Sequence, residues 1–240
     1  MPVSSNTLFH FTKTLDNLFG ILENDFIPKY SLEKFYINKK KLEFAFPMVC
    51  FCDIPITQFR NHWKVYGYYG IGLTKKWGRN QGLNPILYLE RKSRLSKDIS
   101  LIVNKISDSG DSTKLGIDPN IGKFLMHIKQ FKGTFIHREK TYSNYQFYDE
   151  REWRYVPKKV EHIFSSDFKI DRIKSHYNSL VANDRLTFKP DDIKYVIINN
   201  YKELDLVISK LKKNKSKFSG EMIDRVISRI ITVEQIREDF

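Results

Sequence analysis

A chain of 240 residues that is 41% hydrophobic and carries 18 Phe and 13 Tyr can bury a large core in one domain, which excludes general disorder and requires no second unit. Its 41 Lys and Arg against 28 Asp and Glu leave a formal charge of +13, which favours polyanions or anionic small molecules, while the even spread of that excess along the chain also suits a solvated surface. No run approaches the ~20 apolar residues of a bilayer span, and no basic segment followed by an apolar one opens the chain, so a cytoplasmic protein that makes no use of a membrane is expected.

The first segment, Thr7-Leu8-Phe9-His10-Phe11-Thr12, alternates as a strand does, and Leu15, Leu18, Phe19 and Leu22 then recur at helical spacing behind Thr14, a suitable N-cap. Residues 30–43 are charged and aromatic without a clean period and read as a loop or lid. Residues 46–52 read as a buried strand that Asp53-Ile54-Pro55 ends. Cys50 and Cys52, the two cysteines, would share one face of that strand as buried free thiols. No second Cys or His pair has metal-ligand spacing. A short helix is predicted over 58–66 and an aromatic, glycine-rich strand over 66–74, where glycines imply the close approach of a backbone or a ligand.

Further along, 84–89 reads as a strand, 95–107 and 119–131 as helices, and the turn-rich 107–112 between them as a flexible tip. Strands are predicted over 134–137, 152–156 and 193–198, an amphipathic helix with a basic end over 203–213, and an apolar tail over 222–234 that packs back on the body. Repeats and linkers are both lacking, so the elements interleave in one α+β domain spanning 1–240.

Walker loops, helical His-Glu-x-x-His, Gly-x-Ser-x-Gly and zinc-finger spacings are all missing, and Gly67-x-x-Gly70-x-Gly72 does not fit a dinucleotide fingerprint. What remains is an early strand histidine, His10, the tyrosines Tyr66, Tyr68 and Tyr69, and the segment from Tyr148 to Val156. Strand alternation there would put Glu150, Glu152 and Arg154 on one face and Arg151, Trp153 and Tyr155 on the other. Each feature alone also has a structural reading, as a satisfied core histidine, as sheet aromatics and as a Glu–Arg cross-pair.

The runs Leu8-Phe9-His10-Phe11-Thr12, Gly20-Ile21-Leu22-Glu23-Asn24, Pro47-Met48-Val49-Cys50-Phe51-Cys52-Asp53-Ile54-Pro55, Tyr66-Gly67-Tyr68-Tyr69-Gly70-Ile71-Gly72-Leu73-Thr74-Lys75-Lys76-Trp77-Gly78 and Glu150-Arg151-Glu152-Trp153-Arg154 resemble the AbiGi-type abortive-infection phage-resistance proteins over nearly the whole chain. That family is described as the antitoxin half of a two-gene system, which implies a cognate protein encoded by a neighbouring gene. A more distant likeness links the His-Phe-Thr strand, the tyrosine-rich strand and the late strand glutamate to the His-Tyr-Glu layout of ADP-ribosyltransferases, including DarT-like toxins.

The second likeness implies a twisted split β-sheet flanked by helices, with NAD as substrate and no metal. Glu152 would sit beside the oxocarbenium-like ribose and bond its 2′-OH, His10 and Thr12 would hold the adenosine-side ribose, and Tyr68 or Tyr69, beside Tyr66, would stack on nicotinamide. Arg154 or lysines near the expected lid would contact the diphosphate, and Glu150 would activate an acceptor or exchange roles with Glu152. The competing expectation is a non-catalytic regulator that neutralises a partner toxin or contacts nucleic acid.

Overall fold

Strand β1 (Thr7–Thr12) runs through the middle of a mixed sheet because its alternation is apolar on both sides: Leu8 packs with Leu18 and Leu22, and Phe9 with Phe59 and Trp63. The computed structural model describes residues 4–37, 40–108, 119–137, 140–158, 163–214, 218 and 220–239. Helix α1 (Leu15–Asn24) starts where the sequence predicts, with Thr14 Oγ1 accepting from the Asn17 N–H. A long hairpin of β2 (Lys29–Ile37) and β3 (Lys40–Cys52) follows, then a single 3-10 turn (Ile56–Gln58), α2 (Phe59–Tyr66), β4 (Tyr69–Thr74) and α3 (Lys75–Asn80).

The middle of the chain supplies β5 (Asn84–Pro85), β6 (Leu87–Leu89), α4 (Arg94–Asp108), α5 (Pro119–Leu125), β7 (Ile128–Gln130), β8 (Lys132–His137) and β9 (Lys140–Gln146). After a 3-10 turn (Phe147–Glu150), β10 (Glu152–Tyr155) rejoins the main sheet. The remaining elements are β11 (Ile163–Phe164), α6 (Ser165–Phe168), α7 (Asp171–Leu180), β12 (Ile193–Ile198), α8 (Leu204–Lys213), α9 (Glu221–Ile227), β13 (Ile230–Thr232) and α10 (Val233–Asp239).

The main sheet has the order β13-β12-β4-β1-β3-β10-β5, with β2 and β11 also paired to β3; β12 and β13 are parallel and the other pairs antiparallel. Separately, β6 pairs in parallel with β7, and β8 with β9 as a hairpin. One face is covered by α1, α3, α8 and α9 through Leu18, Trp77, Val207 and Val226, the other by α2 and α10 through Trp63 and Ile236. Among the described residues no helix is long and apolar enough to cross a membrane.

Several expectations change. Residues 30–37 and 40–43 are not a loop but paired strand, in continuous register from Lys29↔Met48 to Ile37↔Lys40, and residues 38 and 39 lie outside the described residues. Period was hard to see because charge stands where an apolar face would: Lys34 lies opposite Glu43 and ion-pairs with it at 2.9 Å, joined by Lys41. The helix predicted over 119–131 ends at Leu125, and Ile128–Gln130 is a strand. Of the expected tip at 107–112, residues 109–112 lie outside the described residues. The tail at 222–234 contributes two helices and the parallel strand β13, and Val233 and Ile236 are buried in the core.

Tyr66 closes α2 instead of opening a strand, because Gly67 stops the helix with φ +114° and lies so close to β1 that a Cβ there would stand 2.3 Å from the Thr12 carbonyl oxygen. Gly67→Ala should therefore lower stability by roughly 1–3 kcal/mol or more from strain and overlap. Gly122→Ala, inside α5 with open space at its Cβ, should raise it by about 0.5–1 kcal/mol; urea unfolding of both variants checks the contrast.

Candidate functional site

Only Phe9, opposite Cys52, keeps β1 in register with β3; beyond it the two strands part. A cavity of about 700 Å³ occupies the gap and penetrates the plane of the sheet, so its walls come from both faces. Asp16 and Asn17 of α1 and Phe26 stand on one side, His62 and Tyr66 of α2 on the other. Among the sequence-predicted residues His10, Thr12, Tyr66, Glu150 and Glu152 line this one space, and Tyr68, Tyr69 and Arg154 do not.

Separating two strands leaves backbone groups to satisfy, and His10 meets part of that need: its Nδ1 lies 2.8 Å from the Cys50 carbonyl oxygen. A carbonyl only accepts, so the neutral ring carries its proton on Nδ1 and presents Nε2 as an acceptor. The ring packs edge-on to Phe26 and against Phe51, and burial lowers its pKa from the ordinary 6.5 despite the bond to Cys50.

On the opposite face, strand alternation buries Glu152 and Arg154 of β10 together, while Trp153 and Tyr155 turn to the other side. Arg154 Nε donates to Glu152 Oε1 at 2.8 Å, and Lys129 Nζ donates to Glu152 Oε2 at 2.8 Å and to Glu150 Oε2 at 2.7 Å. The Cys50 thiol lies near enough to the Glu152 carboxylate to favour its charged form. Burial alone would raise the Glu152 pKa; Arg154 and Lys129 overcome it and hold the carboxyl far below the usual carboxylate range. Glu150 sits at the end of the 3-10 turn and not on the strand, yet Lys129 brings it beside Glu152, and the Tyr66 hydroxyl donates to its Oε1 at 2.5 Å. Burial and the Glu150 charge push the Tyr66 hydroxyl well up, and burial above all pushes up the thiols of Cys50 and Cys52.

Three expected roles need correction. Arg154 has no exposed surface, stacks over Phe46, and gives its Nη1 to the Met126 carbonyl at 2.6 Å, so it positions Glu152 and cannot reach a diphosphate in the cavity. Tyr69 donates its hydroxyl to Glu203 at 2.7 Å, and Tyr68 packs against Trp63 under Arg237; neither ring reaches the cavity, where Tyr66 and Phe135 stand among the aromatic residues of the wall instead. Two residues escaped the sequence reading. Lys129 lay in a predicted helix and is in fact on β7, and Glu33 lay in a predicted loop and is on β2, lining the cavity with its Oε1 3.5 Å from Arg154 Nη2. Among the described residues no group of three or more His, Cys, Asp or Glu is arranged to hold a metal ion.

Removing Lys129 would leave two buried carboxylates short of a cation, so Lys129→Met should cost roughly 3–5 kcal/mol in urea unfolding at neutral pH, with partial recovery when Glu150→Gln is added. His10 and His62 both have pKa values lowered by burial from 6.5, so their neutral forms belong to the fold. Their contribution is complete above pH 6.5 and is lost as pH falls below it toward the folded values, where the unfolded chain takes up protons first. Thermal melting should drop across that window, and His10→Asn should flatten the drop.

The family model described as "Putative abortive phage resistance protein AbiGi, antitoxin" matches residues 24–199. A protein of Lactococcus lactis subsp. cremoris named "Abortive phage resistance protein AbiGi" is 28% identical over an alignment 255 residues long, covering 90% of this chain and 99% of that one. No solved structure matches significantly. The family match runs from the end of α1 through β12 and so takes in β3, Lys129, Glu150 and Glu152, well over half of the sequence: the chain belongs to the AbiGi family.

Proposed function

We propose that this protein acts in abortive phage infection, and that the cavity between β1 and β3 binds NAD and transfers its ADP-ribose to a macromolecule. The observation that carries the reading is Glu152, a carboxylate kept ionised in a cavity of about 700 Å³, with a neutral imidazole on a separate wall. Sites of about 300–1,000 Å³ are usual for ligands of this class. The parting of β1 from β3 is also what supports an ADP-ribosyltransferase-like reading of the fold.

In this reading the nicotinamide–ribose C–N bond breaks with its electron pair leaving on nicotinamide, positive charge develops on the ribose, and a nucleophile of the acceptor bonds to the same carbon. Glu152 supplies the opposing negative charge. Each carboxylate oxygen has a second lone pair beyond the bonds to Arg154 and Lys129, which leaves capacity for a ribose hydroxyl. Glu150, tied to the same lysine, takes the acceptor's proton, and Tyr66 with Phe135 offers the stacking surface that Tyr68 and Tyr69 were expected to provide. Nε2 of His10, with Thr12, receives ribose hydroxyls.

A second reading follows from the word "antitoxin" in the family description: a non-catalytic partner of a toxin encoded beside it. Co-purification with the product of the adjacent gene would favour it, and nucleic-acid binding that weakens steeply with salt would favour its nucleic-acid form.

Incubation with labelled NAD and cell extract separates these readings. The wild type should label a macromolecule, Glu152→Gln should lose at least about 10²-fold in transfer while still binding NAD, and His10→Ala should weaken binding. Equal labelling by all three proteins would remove the catalytic claim.

A further inference from the structure

The inner end of the cavity gathers charge from four separate elements. Glu33 comes from β2, Glu150 from the 3-10 turn, Glu152 and Arg154 from β10, and Lys129 from β7. Lys129 is shared by Glu150 and Glu152, and Arg154 is spent on Glu152 and the Met126 carbonyl. Glu33 receives only the far side of Arg154: Nη2 lies 3.5 Å away, is fully buried, and makes no hydrogen bond. Three carboxylates against two cations leave one negative charge in excess, and the rest of the cavity lining does not offset it, since Asp16 and Asp25 there outnumber Lys29. The neighbouring His10 and His62 are held neutral, and the Tyr66 hydroxyl is already given to Glu150. In a chain of formal charge +13 this is a local reversal of sign.

We infer that Glu33 sets a charge selectivity in the cavity, which takes a ligand bearing a positive charge at its inner end in preference to a neutral ligand of the same shape. A buried cluster does not keep an unbalanced charge at low cost; it takes up a proton or a cation. Burial raises the Glu33 pKa from its ordinary value, the sign of an ionised carboxylate with too little compensating charge around it, and a cationic ligand supplies that charge.

Two ligand pairs differ in this charge and little else: oxidised against reduced nicotinamide dinucleotide, and 1-methylnicotinamide against nicotinamide. The first pair rests on the NAD reading above; the second does not. Calorimetric titration of the wild type, Glu33→Gln and Glu33→Asp with all four ligands is the test. The cationic member of each pair should bind at least about tenfold tighter to the wild type and to Glu33→Asp, and the ratio should fall toward one in Glu33→Gln. The wild-type ratio needs no variant, so a poorly folded mutant does not protect the inference. Equal affinity within the dinucleotide pair, or a ratio that Glu33→Gln leaves unchanged, overturns it while the NAD reading stands. Failure of both dinucleotides to bind, with 1-methylnicotinamide still preferred through Glu33, ends the NAD reading and supports the inference; no binding by any of the four ends both.

Discussion

The Glu152 carboxylate, held between Lys129 and Arg154, is the interaction on which the rest of the molecule turns. It joins strands that are distant in sequence, since Lys129 arrives on β7 and Glu152 itself on β10, and it does so at a largely buried point of the cavity wall. Buried ion pairs of this kind seldom add net stability over a well-packed apolar cluster, because desolvation offsets most of the attraction. Their retention in a core lined by Phe46 and Phe147 accords with a requirement for a fixed negative charge at that place.

The second constraint is the parting of β1 and β3 after a single paired position. A sheet that opens in its middle exposes its own polar backbone, and the imidazole of His10 stands in for the missing strand at Cys50. The same residue is thereby both a structural rung and a wall of the cavity. At His10 a structural contact and a place in the cavity wall coincide, and the same holds for Glu152 of the Glu152–Arg154 cross-pair.

Much of this was legible in the sequence. Alternation placed β1 and β12, helical spacing and a threonine cap placed α1, and the period of two put Glu152 and Arg154 on one face. His10, Thr12, Tyr66, Glu150 and Glu152 were singled out and share the cavity. What stayed hidden has physical causes. Around Glu33 the β2–β3 pair sets Lys34 and Lys41 against Glu43, which breaks the apolar alternation there, so Glu33 passed for a loop residue. Lys129 lies on a three-residue strand just past a helix, too short to show any period. For Tyr68 and Tyr69 only tertiary packing decides that Trp63 and Glu203 claim them.

The two thiols in the cavity wall carry a chemical consequence of their own. Peroxide and alkylating reagents attack the thiolate, and burial together with the neighbouring carboxylates keeps Cys50 and Cys52 in the unreactive protonated form. Thiol-directed oxidants and alkylating reagents would thus find little thiolate to attack in this wall, although two cysteines line it.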